Sequence, residues 1–189
     1  IKSSYKHDVE TIYLSFCNDV DTIKEVTHLI KNNYPSSARM PNIIAKIETK
    51  KAVRNLKEIA ENCDGILIDR GDLSREFSIS RIPSIVNQII EMCIELKTPC
   101  YVATNVLDQM IKERLPSRAE ISDVYSLLDK GVSGIVLAAE VAIGIHPIES
   151  VQVIRHMSIL HSIEKGKRQE IDLNSKAFPK LPNHLKAWL

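Results

Sequence analysis

The chain has 189 residues, 44% hydrophobic and 26% charged, with a formal net charge of +1. That length buries a sizeable core and is most simply one domain, or a large piece of one. Acidic and basic residues are interspersed, which leaves no nucleic-acid or membrane-surface footprint, and no run of about 18 apolar residues is present to span a bilayer.

Thr11 to Phe16 reads as a short strand, and Asp19 or Asp21 can cap the helix after it, whose apolar stripe is Ile23, Val26, Leu29 and Ile30. Pro35 and Pro41 mark a turn region. Asn42 to Glu48 is nearly all apolar until Lys46 and Glu48, and Gly65 to Ile68 is continuously apolar until Asp69, Arg70 and Asp72. Such runs are buried on both faces, as parallel strands are. Between them Val53, Leu56, Ile59 and Ala60 recur at helical spacing, so the stretch is a β-α-β unit.

A long helix is expected over Ser80 to Lys97, with Pro83 in its first turn and Ile82, Ile85, Val86, Ile89, Ile90, Cys93 and Leu96 on its buried face. Pro99 to Thr104 is the next strand, followed by a loop and short segment to Leu115. Ser117 then caps a helix, with Glu120 completing a capping box and Gly131 ending it. Gly134 to Ala138 is a fifth strand, and Pro147 opens a last helix carrying Ile148, Val151, Ile154 and Leu160. Periodicity is lost beyond Glu164, so residues 1–163 read as one domain and 164–189 as a C-terminal extension or linker.

Strict β-α alternation implies a parallel α/β sheet, either doubly wound or part of a barrel. A complete (β/α)8 TIM-type barrel takes about 250 residues, so about five β-α units fit a partial one. The chain opens on Ile1 rather than methionine and reads as a fragment or a processed product. Cys17, Cys63, Cys93 and Cys100 stand singly in apolar surroundings without CxxC spacing, so buried free thiols in a reducing compartment are expected.

In either architecture ligands bind at the carboxyl ends of the strands. Asn18 and Asp19, Lys46 and Glu48, Arg70, Gly71 and Asp72, Thr104 and Asn105, and Glu140 fall at the five ends. Lys46 and Glu48, two apart on one strand, point to the same side. Two readings stand side by side: a rim ion pair that ties strand ends together, or a divalent-cation site of Glu48 and Asp72 with Lys46 facing an anionic substrate. Thr104 reads equally as a strand-end cap, and Glu140 as a helix-dipole partner. Six scattered histidines carry no catalytic assignment, and no P-loop or GxGxxG loop is present.

The runs AKIETKKAVRNLKEIAENCDGILIDRGDL, PCYVATNVLDQMI, LPSRAEISDV and GVSGIVLAAEVAIGIHPIESV, in this order and with these gaps, resemble the barrel motifs of the pyruvate kinase family. The resemblance spans roughly Thr11 to His161 and implies the family's strands four to eight. It implies that Lys46 stabilises the phosphoryl group passed between phosphoenolpyruvate and ADP, giving pyruvate and ATP. By the same resemblance Glu48 and Asp72 hold Mg²⁺ or Mn²⁺. The backbone of Gly71 and Asp72, with the Thr104 hydroxyl, cradles the substrate carboxylate, Thr104 lies near the point of enolate protonation, and Glu140 sits on the nucleotide side. K⁺ and a cytoplasmic location are further implications, and because an incomplete barrel exposes sheet edges and an apolar interior, a homo-oligomer or missing barrel segments supplied from elsewhere are expected.

This sequence departs from the family pattern in three places. ARGDLG is DRGDLS, with Asp69 and Ser74 where alanine and glycine are usual; ATQML is ATNVL; and SGETAKG is AAEVAIG, keeping only Glu140, Ala142 and Gly144. Two other readings therefore stay open: a Mg²⁺-dependent oxo-acid aldolase or lyase barrel, and a non-catalytic barrel kept for partner binding.

Overall fold

The computed structural model describes residue 7, residues 9–35 and residues 38–166. Five strands, β1 (Thr11–Leu14), β2 (Asn42–Ile47), β3 (Gly65–Asp69), β4 (Cys100–Ala103) and β5 (Gly134–Val136), form one sheet in chain order. The first three pairings are parallel, with Ile12 opposite Ile43, Lys46 opposite Leu67 and Asp69 opposite Ala103. Consecutive parallel strands with helical crossovers are the β/α barrel pattern, here in part.

The described residues divide into two compact units, the first reaching to Ala103 and taking in Val132–Gly134, the second comprising Thr104–Gly131 and the chain from Ile135 on. The first unit carries β1 to β4. All five residues of β3 are buried, so its run of Ile66, Leu67 and Ile68 is apolar without alternation. Helix α1 (Val20–Asn33) is capped by Asp19, which accepts from the Thr22 N–H at 3.2 Å. Its buried residues are Val20, Ile23 and Ile30; Leu29, expected in the stripe, is exposed.

The crossover from β2 to β3 is two short helices, α2 (Lys50–Arg54) and α3 (Leu56–Ala60), joined at Asn55, where one continuous helix is expected from periodicity. The Asn55 side chain donates to the Asn18 carbonyl at 2.9 Å, drawing the helix break to the loop after β1. After β3 the chain turns at once into α4 (Arg70–Glu76) and a 3₁₀ turn before α5 (Ile82–Glu95). Asp72 therefore lies in the first turn of a helix, which the expectation of a single helix from Ser80 omits. Ile85, Val86, Ile89, Ile90 and Cys93 of α5 are buried and Pro83 sits in its first turn. The four cysteines are free thiols; burial first, with the neighbouring Cys63 and Asp19 adding to it, pushes the Cys17 thiol up to about 11.

In the second unit a 3₁₀ turn (Asp108–Ile111), α6 (Arg118–Asp129), α7 (Ala139–Ala142) and α8 (Pro147–Gly166) surround Val106, Leu107, Met110, Val124, Val153 and Met157. The α6 capping box forms as expected: Ser117 accepts from the Glu120 N–H at 3.2 Å and Glu120 from the Ser117 N–H at 2.7 Å. Gly131 follows with φ 89°, a left-handed helix stop that suits glycine.

The α8 stripe is not the expected one. Ser150, Val153, Met157 and His161 are buried, whereas Ile148 is 69% and Val151 51% exposed. Apolar residues lie on more than one side of this helix, so spacing alone does not choose the face. Residues 164–166, assigned to the extension, close α8; the rest of that extension, 167–189, lies outside the described residues.

Replacing Ser117 by alanine removes the cap acceptor and is expected to lower stability by about 1 kcal/mol, read as a lowered urea midpoint with unchanged slope.

Candidate active site

The first-unit site grows from two adjacent strand ends. Lys46 is the fifth residue of β2, and Glu48 follows the strand on the same side. On β3, Asp69 is both the last strand residue and the N-cap of α4, its Oδ1 accepting from the Asp72 N–H at 3.4 Å. Burial of both faces keeps β2 and β3 largely apolar through Ile47 and Ile68, so charge falls where the strands end.

The Lys46 ammonium touches Glu48 Oε1 and lies 3.2 Å from Asp69 Oδ2. Glu48 is 1% exposed, and its other oxygen accepts the backbone N–H of Phe16, a residue in the left-handed conformation with φ 51°. A buried carboxylate is tolerated when its oxygens are both engaged in this way. Burial alone would push the Lys46 amine down; hydrogen bonds and charge from Glu48 and Asp69 outweigh it and hold the amine above its ordinary value. Lys46 is thus a fixed cation with its side chain four-fifths buried.

Asp72 stands beside this pair, with Oδ1 3.3 Å from the exposed Arg75 guanidinium. One carboxylate oxygen each from Glu48, Asp69 and Asp72 lie within 4.8 Å of one another. Carboxylate oxygens at that separation are the donor set that a hard divalent cation takes. The structure pairs Lys46 with Glu48 and sets a Glu48 oxygen near one of Asp72; Asp69, which the sequence shows as a strand-end charge and as a departure from the family pattern, is the third acidic member. Gly71 lies between Arg70 and Asp72 in the first turn of α4.

The loop after β1 is tied to the loop after β2 by the Thr49 hydroxyl donating to Asn18 Oδ1 and by Lys51 Nζ 2.7 Å from Asp19 Oδ2. Asp19, hydrogen-bonded by Lys51 and by Thr22, is held below the usual carboxylate range.

Thr104 and Glu140 belong to the second unit. Thr104 has φ 63° and Asn105 φ 52°. Asparagine visits this region readily, but for β-branched threonine it is an outlier of the strained kind that clusters at functional positions. Glu140 is 1% exposed and accepts from the Leu107 N–H at 3.2 Å and the Ala138 N–H at 2.8 Å. Its carboxylate braces the loop backbone. Gly144 serves the same loop: a Cβ there would lie 2.3 Å from the Glu140 carbonyl oxygen, so only glycine lets the chain turn back over α7. The retention of Gly144 in the sequence thus has a steric reason that spacing does not show.

Comparison with known proteins decides the family. The family model for the pyruvate kinase barrel domain matches residues 1–151. The chain belongs to the pyruvate kinase family. It is 36% identical over 154 residues to the pyruvate kinase of Thermotoga maritima, covering 82% of this chain and 32% of that protein. It is 39% identical over 169 residues to that of Chlamydia muridarum, covering 88% and 34%. Among solved structures, pyruvate kinase from Cryptosporidium parvum superposes with TM-score 0.78 at 30% identity, covering 84% of this chain and 33% of that one. The enzyme from Pyrobaculum aerophilum gives TM-score 0.78 at 27% identity, covering 85% and 37%. This sequence thus spans about a third of the length of these pyruvate kinases. Among the described residues no helix is long and apolar enough to cross a membrane.

Glu140→Ala leaves two N–H groups of the loop without their acceptor and is expected to cost about 2 kcal/mol, with Glu140→Gln, which keeps one acceptor oxygen, losing about half of that. Thermal unfolding of the two variants checks the order.

Proposed function

We propose that in its complete protein this chain forms part of the active site that passes a phosphoryl group between phosphoenolpyruvate and ADP, giving pyruvate and ATP. The observation that carries this reading is the cluster of Glu48, Asp69 and Asp72 oxygens within 4.8 Å of one another, set against the Lys46 ammonium, in a chain of the pyruvate kinase family.

The donor set fits Mg²⁺ or Mn²⁺, for which carboxylates, water and substrate oxygens suffice; Glu48 and Asp72 would hold it. Bound there, the cation would supply charge neutralisation for enolpyruvate and phosphate oxygens. Lys46 supplies a fixed positive charge to the transferring phosphoryl group, and positioning with charge stabilisation is most of what phosphoryl transfer needs. In the first unit the backbone of Gly71 and Asp72 orients the substrate carboxylate; in the second, the Thr104 hydroxyl is assigned a substrate-side role of its own. The strained conformation of Thr104 supports a functional placement. Glu140 acts by shaping the nucleotide-side loop, its oxygens being engaged with backbone. K⁺ and a cytoplasmic location are proposed for the complete enzyme only, as are closure by the rest of the barrel and self-association.

The engagement of Lys46 by two carboxylates favours a second reading, a Mg²⁺-dependent oxo-acid lyase of the same fold that has no phosphoryl group to meet. A coupled assay of the complete protein separates them: ADP-dependent pyruvate formation supports the first, and ADP-independent C–C cleavage the second.

Mn²⁺ titrated into the protein by calorimetry is expected to bind more tightly when oxalate, an enolpyruvate mimic, is present, and Glu48→Gln is expected to weaken that binding by roughly tenfold or more. Equal Mn²⁺ binding by wild type and variant would remove Glu48 from the metal site.

A further inference from the structure

Asp69 is the member of the cluster for which the reading above has no task, and its geometry gives it one. Its two oxygens are divided between the two kinds of group that receive an anion: Oδ2 lies 3.2 Å from the Lys46 ammonium, and Oδ1 accepts the Asp72 N–H at 3.4 Å. Asp69 is 7% exposed, so these contacts are made largely out of water, where a carboxylate held against an ammonium is not screened away. Asp69 thus stands in the position of a substrate oxyanion with respect to Lys46. It also lies within ligand range of Glu48 and Asp72.

We propose that the Asp69 carboxylate is a built-in competitor for the anion-binding ammonium of Lys46, displaced from it when a divalent cation enters between Glu48, Asp69 and Asp72. The inference rests on the cation site proposed above and deepens it by setting an order of binding. Without the cation, two carboxylates hold the one lysine, with the Asp72 carboxylate beside them, and an incoming phosphoryl oxyanion meets a site that is already negative. With it, Asp69 turns to the metal, and the lysine charge is released to the anion. Cation and phosphate binding are therefore coupled through one side chain, and each tightens the other by the same factor. An alanine at this position would leave Lys46 paired with Glu48 and open to the anion without any cation.

A merely structural role for Asp69, as the α4 cap, makes a different forecast. Asparagine caps helices as well as aspartate does, so Asp69→Asn keeps the acceptor for the Asp72 N–H while removing the charge, and Asp69→Ala removes both. The experiment measures inorganic phosphate binding by calorimetry, without metal and with saturating Mg²⁺, to wild type and both variants, with circular dichroism verifying that each is folded. Competition predicts that metal-free phosphate binds roughly tenfold tighter to both variants, a gain of about 1.4 kcal/mol, and that the tightening caused by Mg²⁺ shrinks in both. The gain should vanish when Lys46→Met is added to Asp69→Asn.

Unchanged metal-free phosphate affinity in Asp69→Asn overturns the proposal, as does a gain that survives without Lys46 or one confined to Asp69→Ala. Failure of Mg²⁺ to bind wild type overturns the cation site instead, and with it the coupled order. The metal-free phosphate arm then still reports whether Asp69 holds Lys46, so the two failures are told apart.

Discussion

The contact on which the first unit's strand ends depend is the ammonium of Lys46 between the carboxylates of Glu48 and Asp69. Each partner is too buried to carry its charge alone: Glu48 is spent on Lys46 and the Phe16 N–H, and Asp69 on Lys46 and the Asp72 N–H. Through these bonds the loop after β1, the end of β2, the end of β3 and the first turn of α4 are fixed to one point. Removing the Lys46 charge would leave both carboxylates buried without compensation, which costs more than the intact pairs contribute.

That arrangement follows from how parallel strands are made. β2 and β3 are covered on both faces, so their sequences stay apolar along the strand and can place polar groups only where the sheet stops. Strand ends of a β/α sheet therefore collect charge at one rim, and that rim is where ligands are met. In the second unit the same logic takes a different form: Glu140 is buried with its oxygens on backbone N–H groups, and Gly144 allows the close turn above it. One rim carboxylate is thus a builder of its loop, while those of the first unit are arranged as cation ligands are.

Much of this was legible in the residues. The five strands, the β-α alternation, the Ser117–Glu120 capping box and the Gly131 stop all rest on local chemistry that a sequence states outright. The approach of Lys46 and Glu48 was legible because they share a strand and a face. Helix α4 was not, since RGDLSRE has one buried apolar residue, Leu73, and so no stripe to read. Nor was the buried face of α8, where apolar residues at Ile148, Val151, Val153, Ile154 and Met157 fit more than one side. The pairing of Lys46 with Asp69 depends on register between strands: Lys46 lies opposite Leu67, and its long side chain reaches two residues further. Spacing along the chain carries no information about such a reach.

The most direct test of the account is a crystal structure of the complete protein grown with Mn²⁺ and oxalate, with the metal located by anomalous scattering. The account predicts an anomalous peak bonded to Glu48 and Asp72, with the oxalate completing the coordination and Lys46 Nζ on an oxalate oxygen. A peak elsewhere, with Lys46 still held between Glu48 and Asp69 and oxalate absent from that rim, would contradict it.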